Sequence, residues 1–163
     1  MKSHYLYPAA LFAVKEPHIV NTILGSCVSV CLYDTILKVG GINHFMLPYW
    51  NGQELASPKY GNIALEKLFN HMWEMGCQRN SVVAKIFGGA EVLPIKSAQF
   101  NIGLRNIELA LDMLQSNHIN IVAKSVGGKE GRKIQFNTYD GSVKMKFVVQ
   151  TSNIIMPVKA KLP

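Results

Sequence analysis

The chain has 163 residues, enough for one domain with a buried core. Its residues are 48% hydrophobic and 17% charged, which excludes a disordered chain, and no apolar run is long enough to span a membrane. The formal net charge of +7 points toward nucleic acid, acidic lipid or acidic protein. The late lysines, however, alternate with apolar residues, as in Val143-Lys144-Met145-Lys146-Phe147, and this period of two describes a half-buried strand. Zinc-finger spacing and an aromatic RNA platform are both missing, so nucleic acid is not an expected partner.

The N-terminal run Met1–Pro8 lacks the apolar stretch of a signal peptide. Leu11–Val14 and Ile19–Leu24 read as strands separated by the Glu16-Pro17 break. A hairpin follows, with arms Cys27–Tyr33 and Val39–Phe45, and Met46-Leu47-Pro48 ends its second arm. The first strong helix is expected to begin near Ser57-Pro58, since serine caps helices well and proline suits the first helical position. Leu65, Leu68, Phe69, Met72 and Met75 form its apolar stripe, and Gly76 is its stop.

Ser81–Phe87 reads as a strand ending in Gly88-Gly89. A second helix is expected from Asn101, with Leu104, Ile107, Leu111 and Leu114 at spacings of three and four. Asn120–Val126 is a strand, and Lys133–Tyr139 with Ser142–Val149 form a hairpin around Asp140-Gly141. Strands, helix, strand, helix, strands imply a single α/β domain over residues 1–163. Its expected form is a sandwich with a mixed, largely antiparallel sheet and at least two helices.

Chemistry concentrates on the first hairpin. A turn centred between Thr35 and Ile36 sets Cys27 directly opposite His44, with Cβ atoms about 4.5–5.5 Å apart. An imidazole at that range takes a thiol proton, and a thiolate beside histidine is an activated nucleophile. Cys27, Ser29, Cys31, Gly40, Ile42 and His44 share one face, small and partly polar, with room for a substrate group. Val28, Val30, Leu32, Val39, Gly41 and Asn43 form the other, which is expected to face the core. Backbone N–H groups at Gly25-Ser26 are placed to hold an oxyanion.

A packing reading stands beside the catalytic one, because cysteine is among the most buried residue types. Cys31 and Cys77 read as core residues, and His4, His18, His71 and His118 have no comparable partner. Residues four apart on a strand are separated by roughly 13 Å, so Cys27 and Cys31 do not form a compact metal site, and no metal is expected. Three cysteines, an odd number, do not suggest a disulfide framework, and the expected setting is cytoplasmic with reduced thiols.

The run Leu24–Asp34 with Gly40–Pro48 resembles the chemoreceptor glutamine deamidase family, CheD. Phe87-Gly88-Gly89-Ala90, Asn101–Ile107 and Gly127-Gly128 leading to Gly131–Ile134 follow in the family's order, so the resemblance covers about residues 20 to 141. It implies a fold like that of toxin-type Cys–His glutamine deamidases and hydrolysis of glutamine side chains on methyl-accepting chemotaxis receptors, without a cofactor. Cys27 matches the family nucleophile and His44 its base. The family's histidine-orienting threonine lies six residues before the cysteine, where this chain has Asn21. Thr22 is the nearest match, but a one-residue shift turns a strand side chain to the other face, leaving Asn21 as the alternative. The implied partners are receptor cytoplasmic helices and a CheC-type phosphatase.

Overall fold

The computed structural model describes residues 1–92 and 101–148. Its strands are β1 (Lys2–Tyr5), β2 (Ala10–Ala13), β3 (His18–Leu24), β4 (Val28–Asp34), β5 (Val39–His44), β6 (Val82–Gly88), β7 (Asn120–Val126), β8 (Arg132–Asn137) and β9 (Val143–Phe147). The helices are α1 (Gly61–Glu74) and α2 (Ile102–Ser116). One sheet has the order β1-β3-β8-β9 and the other β2-β5-β4-β6-β7. The strand pairs β1–β3 and β6–β7 run parallel, and the other described strand pairs run antiparallel. The expected α/β sandwich, largely antiparallel and with two helices, is the observed architecture.

Period-two alternation sorts the core into two layers. Val28, Val30 and Leu32 of β4 pack with Leu65, Leu68 and Met72 of α1 and with Ile107, Ala110 and Leu114 of α2. Cys31 and Ile42 point the other way, against Val20, Leu24, Ile134 and Phe136 of the four-stranded sheet. The central strand β4 is therefore buried on both faces. The face expected to leave room for a substrate is largely filled by this second sheet, whose opposing strands the hairpin sequence does not reveal.

The hairpin register also departs from expectation. Asp34 pairs with Val39, Cys31 with Ile42 and Val28 with Phe45. The turn therefore lies one residue further along than expected, Ser29 comes opposite His44, and Cys27 sits one pair beyond on the same face. Asp34 is the cause: its carboxylate accepts the N–H groups of Ile36 and Leu37 (2.9 Å each), and its carbonyl accepts that of Lys38 (3.0 Å). This aspartate-built turn fixes four loop residues where the register had assumed a tighter reversal.

α1 starts at Gly61, with Tyr60 as an N-cap that supplies no side-chain bond, rather than at Ser57-Pro58. The carbonyl of Lys59 accepts the N–H groups of Met46 and Leu47, and Leu47 bridges Tyr60. This tertiary pairing holds residues 57–60 out of the helix. α2 begins as expected, with the Asn101 side chain accepting the Leu104 N–H at 3.4 Å. Its buried face, however, includes Gly103, Asn106, Ile107, Ala110 and Leu114, and Leu104 is 46% exposed. Strand β1 was not anticipated, because Lys2-Ser3-His4-Tyr5 has no hydrophobic pattern. The terminal hairpin is where the sequence puts it, while Val149 lies outside the described residues.

The rotation of α2 follows from Gly103. A Cβ there would collide with the Gly89 carbonyl oxygen and come within 2.8 Å of the Ala90 carbonyl oxygen. The helix thus approaches the β6 terminus backbone to backbone. Gly103→Ala is expected to lower unfolding free energy by roughly 1–3 kcal/mol, the cost of overpacking a rigid contact, as read from urea denaturation.

Candidate active site

Thr22, on β3 of one sheet, and His44, at the end of β5 in the other, meet in the layer between the sheets. Both are buried, at 0% and 2% exposure. His44 Nδ1 and Thr22 Oγ1 are 2.7 Å apart, and the Thr22 hydroxyl donates to the Leu6 carbonyl, also at 2.7 Å. A hydroxyl has one proton. With that proton committed to Leu6, Nδ1–H must be the donor to Oγ1, and Nε2 carries the ring's lone pair. His44 Nε2 has no hydrogen-bond partner among the described residues. The imidazole is thus held in the tautomer that a general base requires. Asn21 is turned to the outside, where its side chain bonds Ser3 Oγ and Gln135 Nε2.

Cys27 occupies the loop between β3 and β4, partly buried and unpaired. Extending the Val28–Phe45 pairing by one residue sets it opposite Met46, two residues beyond His44. The Cys27 carbonyl accepts the Gly89 N–H at 2.9 Å, and the Gly25 carbonyl accepts the Ala90 N–H at 3.0 Å. Gly88 has φ of +108°, and any Cβ there would run into the Cys27 carbonyl oxygen. The Gly88-Gly89 turn therefore grips the cysteine loop from behind in a way only glycine permits. Among the described residues the N–H groups of Ser26 and Cys27 donate to no backbone carbonyl.

Two side chains that sequence reading missed hold this geometry. The β4–β5 ladder opens between its two ends, and the Val30 N–H is met by Asn43 Oδ1 at 2.9 Å instead of by a strand carbonyl. Asn106, fully buried on α2, donates through Nδ2 to the carbonyls of Ser26 and Met46, each at 3.0 Å. One amide thereby ties the segment before Cys27 to the segment after His44. The available signal was a polar residue next to Ile107 on an otherwise apolar helix face. Ser29 Oγ, Asn43 Nδ2, His44 Nε2 and Asn106 Oδ1 are the buried side-chain polar atoms without a partner among the described residues. All four lie at this opening or on its clamp.

Burial pushes the Cys27 thiol above its ordinary pKa, against a smaller opposing pull from its own backbone N–H. Burial alone brings His44 down to about 4. The resting pair is therefore a neutral thiol and a neutral imidazole, not the ion pair assumed from the sequence. Cys77 is pushed up to about 12, first by burial and then by Asp34, and Cys31 is raised by burial. No group of three or more metal-ligating side chains occurs among the described residues. No helix among them is long and apolar enough to cross a membrane.

His44 also links stability to pH. Its folded pKa of about 4 lies below the unfolded value of 6.5, so the unfolded chain binds more protons between them. The contribution is complete above pH 6.5 and is lost as pH falls through about 4, to a limit of about 3 kcal/mol. His44→Gln is expected to flatten that part of the stability curve, measured by urea midpoints at pH 7, 6, 5 and 4. An unchanged slope would show that other groups carry it.

The profile described as CheD chemotactic sensory transduction matches residues 46–147, beginning just after His44. The chain is 45% identical over 148 residues to a probable chemoreceptor glutamine deamidase CheD of Sulfurimonas denitrificans, covering 90% of this chain and 95% of that protein. It is 48% identical over 143 residues to the protein of that name from Trichlorobacter lovleyi, covering 88% and 89%. A probable chemoreceptor glutamine deamidase CheD 1 of Shewanella oneidensis is 41% identical over 91% of this chain and 73% of its own length. On the profile match and on these identities over most of both chains, the protein belongs to the CheD family.

Proposed function

We propose that this chain is a protein-glutamine deamidase. It hydrolyses side-chain amides of selected glutamines on the cytoplasmic helices of methyl-accepting chemotaxis receptors, leaving glutamate and releasing ammonia. The observation that carries this reading is the paired hydrogen bond of Thr22, which leaves His44 Nε2 as a free base on the face that holds Cys27. The relatives' printed names supply the substrate class.

The neutral resting pair sets the order of events. Nε2 takes the Cys27 proton as the sulfur attacks the glutamine carboxamide carbon, so that the thiolate forms only when a substrate is in place. The N–H groups of Ser26 and Cys27, which donate to no backbone carbonyl among the described residues, receive the oxyanion. As the tetrahedral adduct collapses, the imidazolium returns its proton to the leaving nitrogen, and ammonia departs. Nε2 then deprotonates water, which cleaves the thioester, gives the glutamate side chain and restores the thiol. Each step moves one proton through one nitrogen, and no cofactor enters.

Receptor fragments incubated with the protein and read by ammonia release and mass spectrometry test this reading. Cys27→Ala is expected to abolish turnover, and His44→Ala to lower it about 10²- to 10⁴-fold, with both variants still folded. Undiminished activity in Cys27→Ala would exclude the mechanism. Thr22→Val, which frees the ring to take either tautomer, is expected to lower kcat roughly 10²-fold, while Thr22→Ser retains most of it. Equal loss in both would assign Thr22 a packing role only.

The raised Cys27 thiol gives a second reading its footing: a non-catalytic adaptor that binds receptors or a CheC-type phosphatase. Receptor binding unchanged by Cys27→Ala, together with no ammonia release by the natural chain, would select it.

A further inference from the structure

The outer face of the four-stranded sheet is covered by neither helix; both pack on the other sheet. Inward-facing Val20, Leu24, Ile134 and Phe136 leave Ile23, Lys133, Gln135, Lys144 and Lys146 on the outside. Lys133 pairs directly with Lys146, and Ile23 pairs with Lys133, giving the cross-strand row Ile23–Lys133–Lys146. Lys144 lies opposite Gln135 in the next row on the same face. A recess of about 240 Å³ opens here among Asn21, Lys133, Gln135, Lys144 and Lys146.

Two like charges directly opposite each other on a sheet destabilise it. Lysines on an edge strand block unwanted pairing, which accounts for Lys144 and Lys146 on β9. It does not account for Lys133, since β8 lies inside the sheet between β3 and β9. Nor does the chain neutralise the row. The ion pair among the described residues is Lys2–Glu16 at 3.2 Å, elsewhere, and neither 93–100 nor 149–163 contains an aspartate or glutamate. Strands β8 and β9 themselves contain no acidic residue, and Glu66, Glu74, Glu108 and Asp112 lie on the helices, which pack on the other sheet.

The row is also close to the candidate site along the chain. Ile23 follows Thr22 directly and precedes Cys27 by four residues, and the strand pair that holds Lys133 ends at Leu24–Arg132. Ile23 is 48% exposed and offers an apolar contact beside the two ammonium groups. We propose that Ile23, Lys133 and Lys146 form a docking row for an acidic stretch of the protein substrate flanking the reacting glutamine. This inference rests on the deamidase reading and adds to it the chemistry by which the substrate is chosen. The cationic pair is left without a counter-charge in the free protein, and carboxylates of the bound substrate supply one.

The test uses the full chain and a receptor cytoplasmic fragment. With Lys133→Glu/Lys146→Glu, KM for the fragment is expected to rise about tenfold while kcat is unchanged. The natural chain's KM should rise between low and moderate salt, the variant's should not, and Lys133→Arg/Lys146→Arg should behave as the natural chain. An unchanged KM in the charge-reversed protein overturns the proposal. Fragment binding is measured in parallel on Cys27→Ala with and without the two reversals. If the natural chain releases no ammonia, the deamidase reading fails, and this binding comparison still decides the docking row. Loss of binding to anionic lipid vesicles on reversal, with fragment binding unaltered, would assign the face to lipid and also overturn the proposal.

Discussion

The geometry depends on one hydroxyl proton. Thr22 gives it to the Leu6 carbonyl, and only because it does so must His44 donate from Nδ1. Three backbone segments meet in that pair of bonds: the residue following β1, the middle of β3 and the end of β5. The two sheets are joined there by a polar contact within an otherwise apolar layer of Val20, Leu24, Ile42 and Phe136. In such surroundings an unpaired ring nitrogen is costly, so the satisfied bond specifies one arrangement of the sandwich as well as one tautomer.

Around this contact the structure gives up regularity. The ladder between β4 and β5 opens, Asn43 substitutes a side-chain carbonyl for a strand carbonyl, and Asn106 reaches from the helical layer to two main-chain carbonyls. The buried polar atoms left without partners among the described residues collect here and not in the rest of the core. Native chains satisfy nearly all such atoms, and exceptions gather where a site has chemistry to perform. The price in stability is offset by close packing elsewhere, in the Leu65–Met72 face of α1 and the backbone contact of Gly103 with the Gly89 turn.

Much of this was legible from local pattern. Hydrophobic alternation placed β3 to β9 to within a residue or two, and Asn101 and Gly76 marked a helix start and a helix stop as their chemistry dictates. The direct pairing of Cys27 with His44 is lost to an error of two residues in register, but their common face is kept, since a shift of two preserves the face and a shift of one would not. What escaped was set by distant partners. The Asp34 turn, the Lys59 pairing that delays α1, and parallel β1 are contacts that no local window contains. Thr22 sits five residues before Cys27 instead of six, and its inward direction is fixed by β3 pairing with β8, which lies more than a hundred residues away in sequence. The protonation of the resting pair was out of reach too, because it depends on how completely the second sheet covers Cys27 and His44.

The Leu6 carbonyl belongs to the chain's amino-terminal end. It is held there by the Leu6 N–H bond to the Asn21 carbonyl at 2.8 Å and by an edge strand with a single neighbour, β3. Without that acceptor, the threonine hydroxyl would be free to turn its hydrogen toward the ring. The imidazole proton would then sit on the opposite nitrogen, and Nε2 would no longer be a base. The Leu6 carbonyl thus sets which ring nitrogen stays basic, and because the Leu6 side chain is buried in the apolar layer, the tautomer of His44 and the packing of that layer share one anchor.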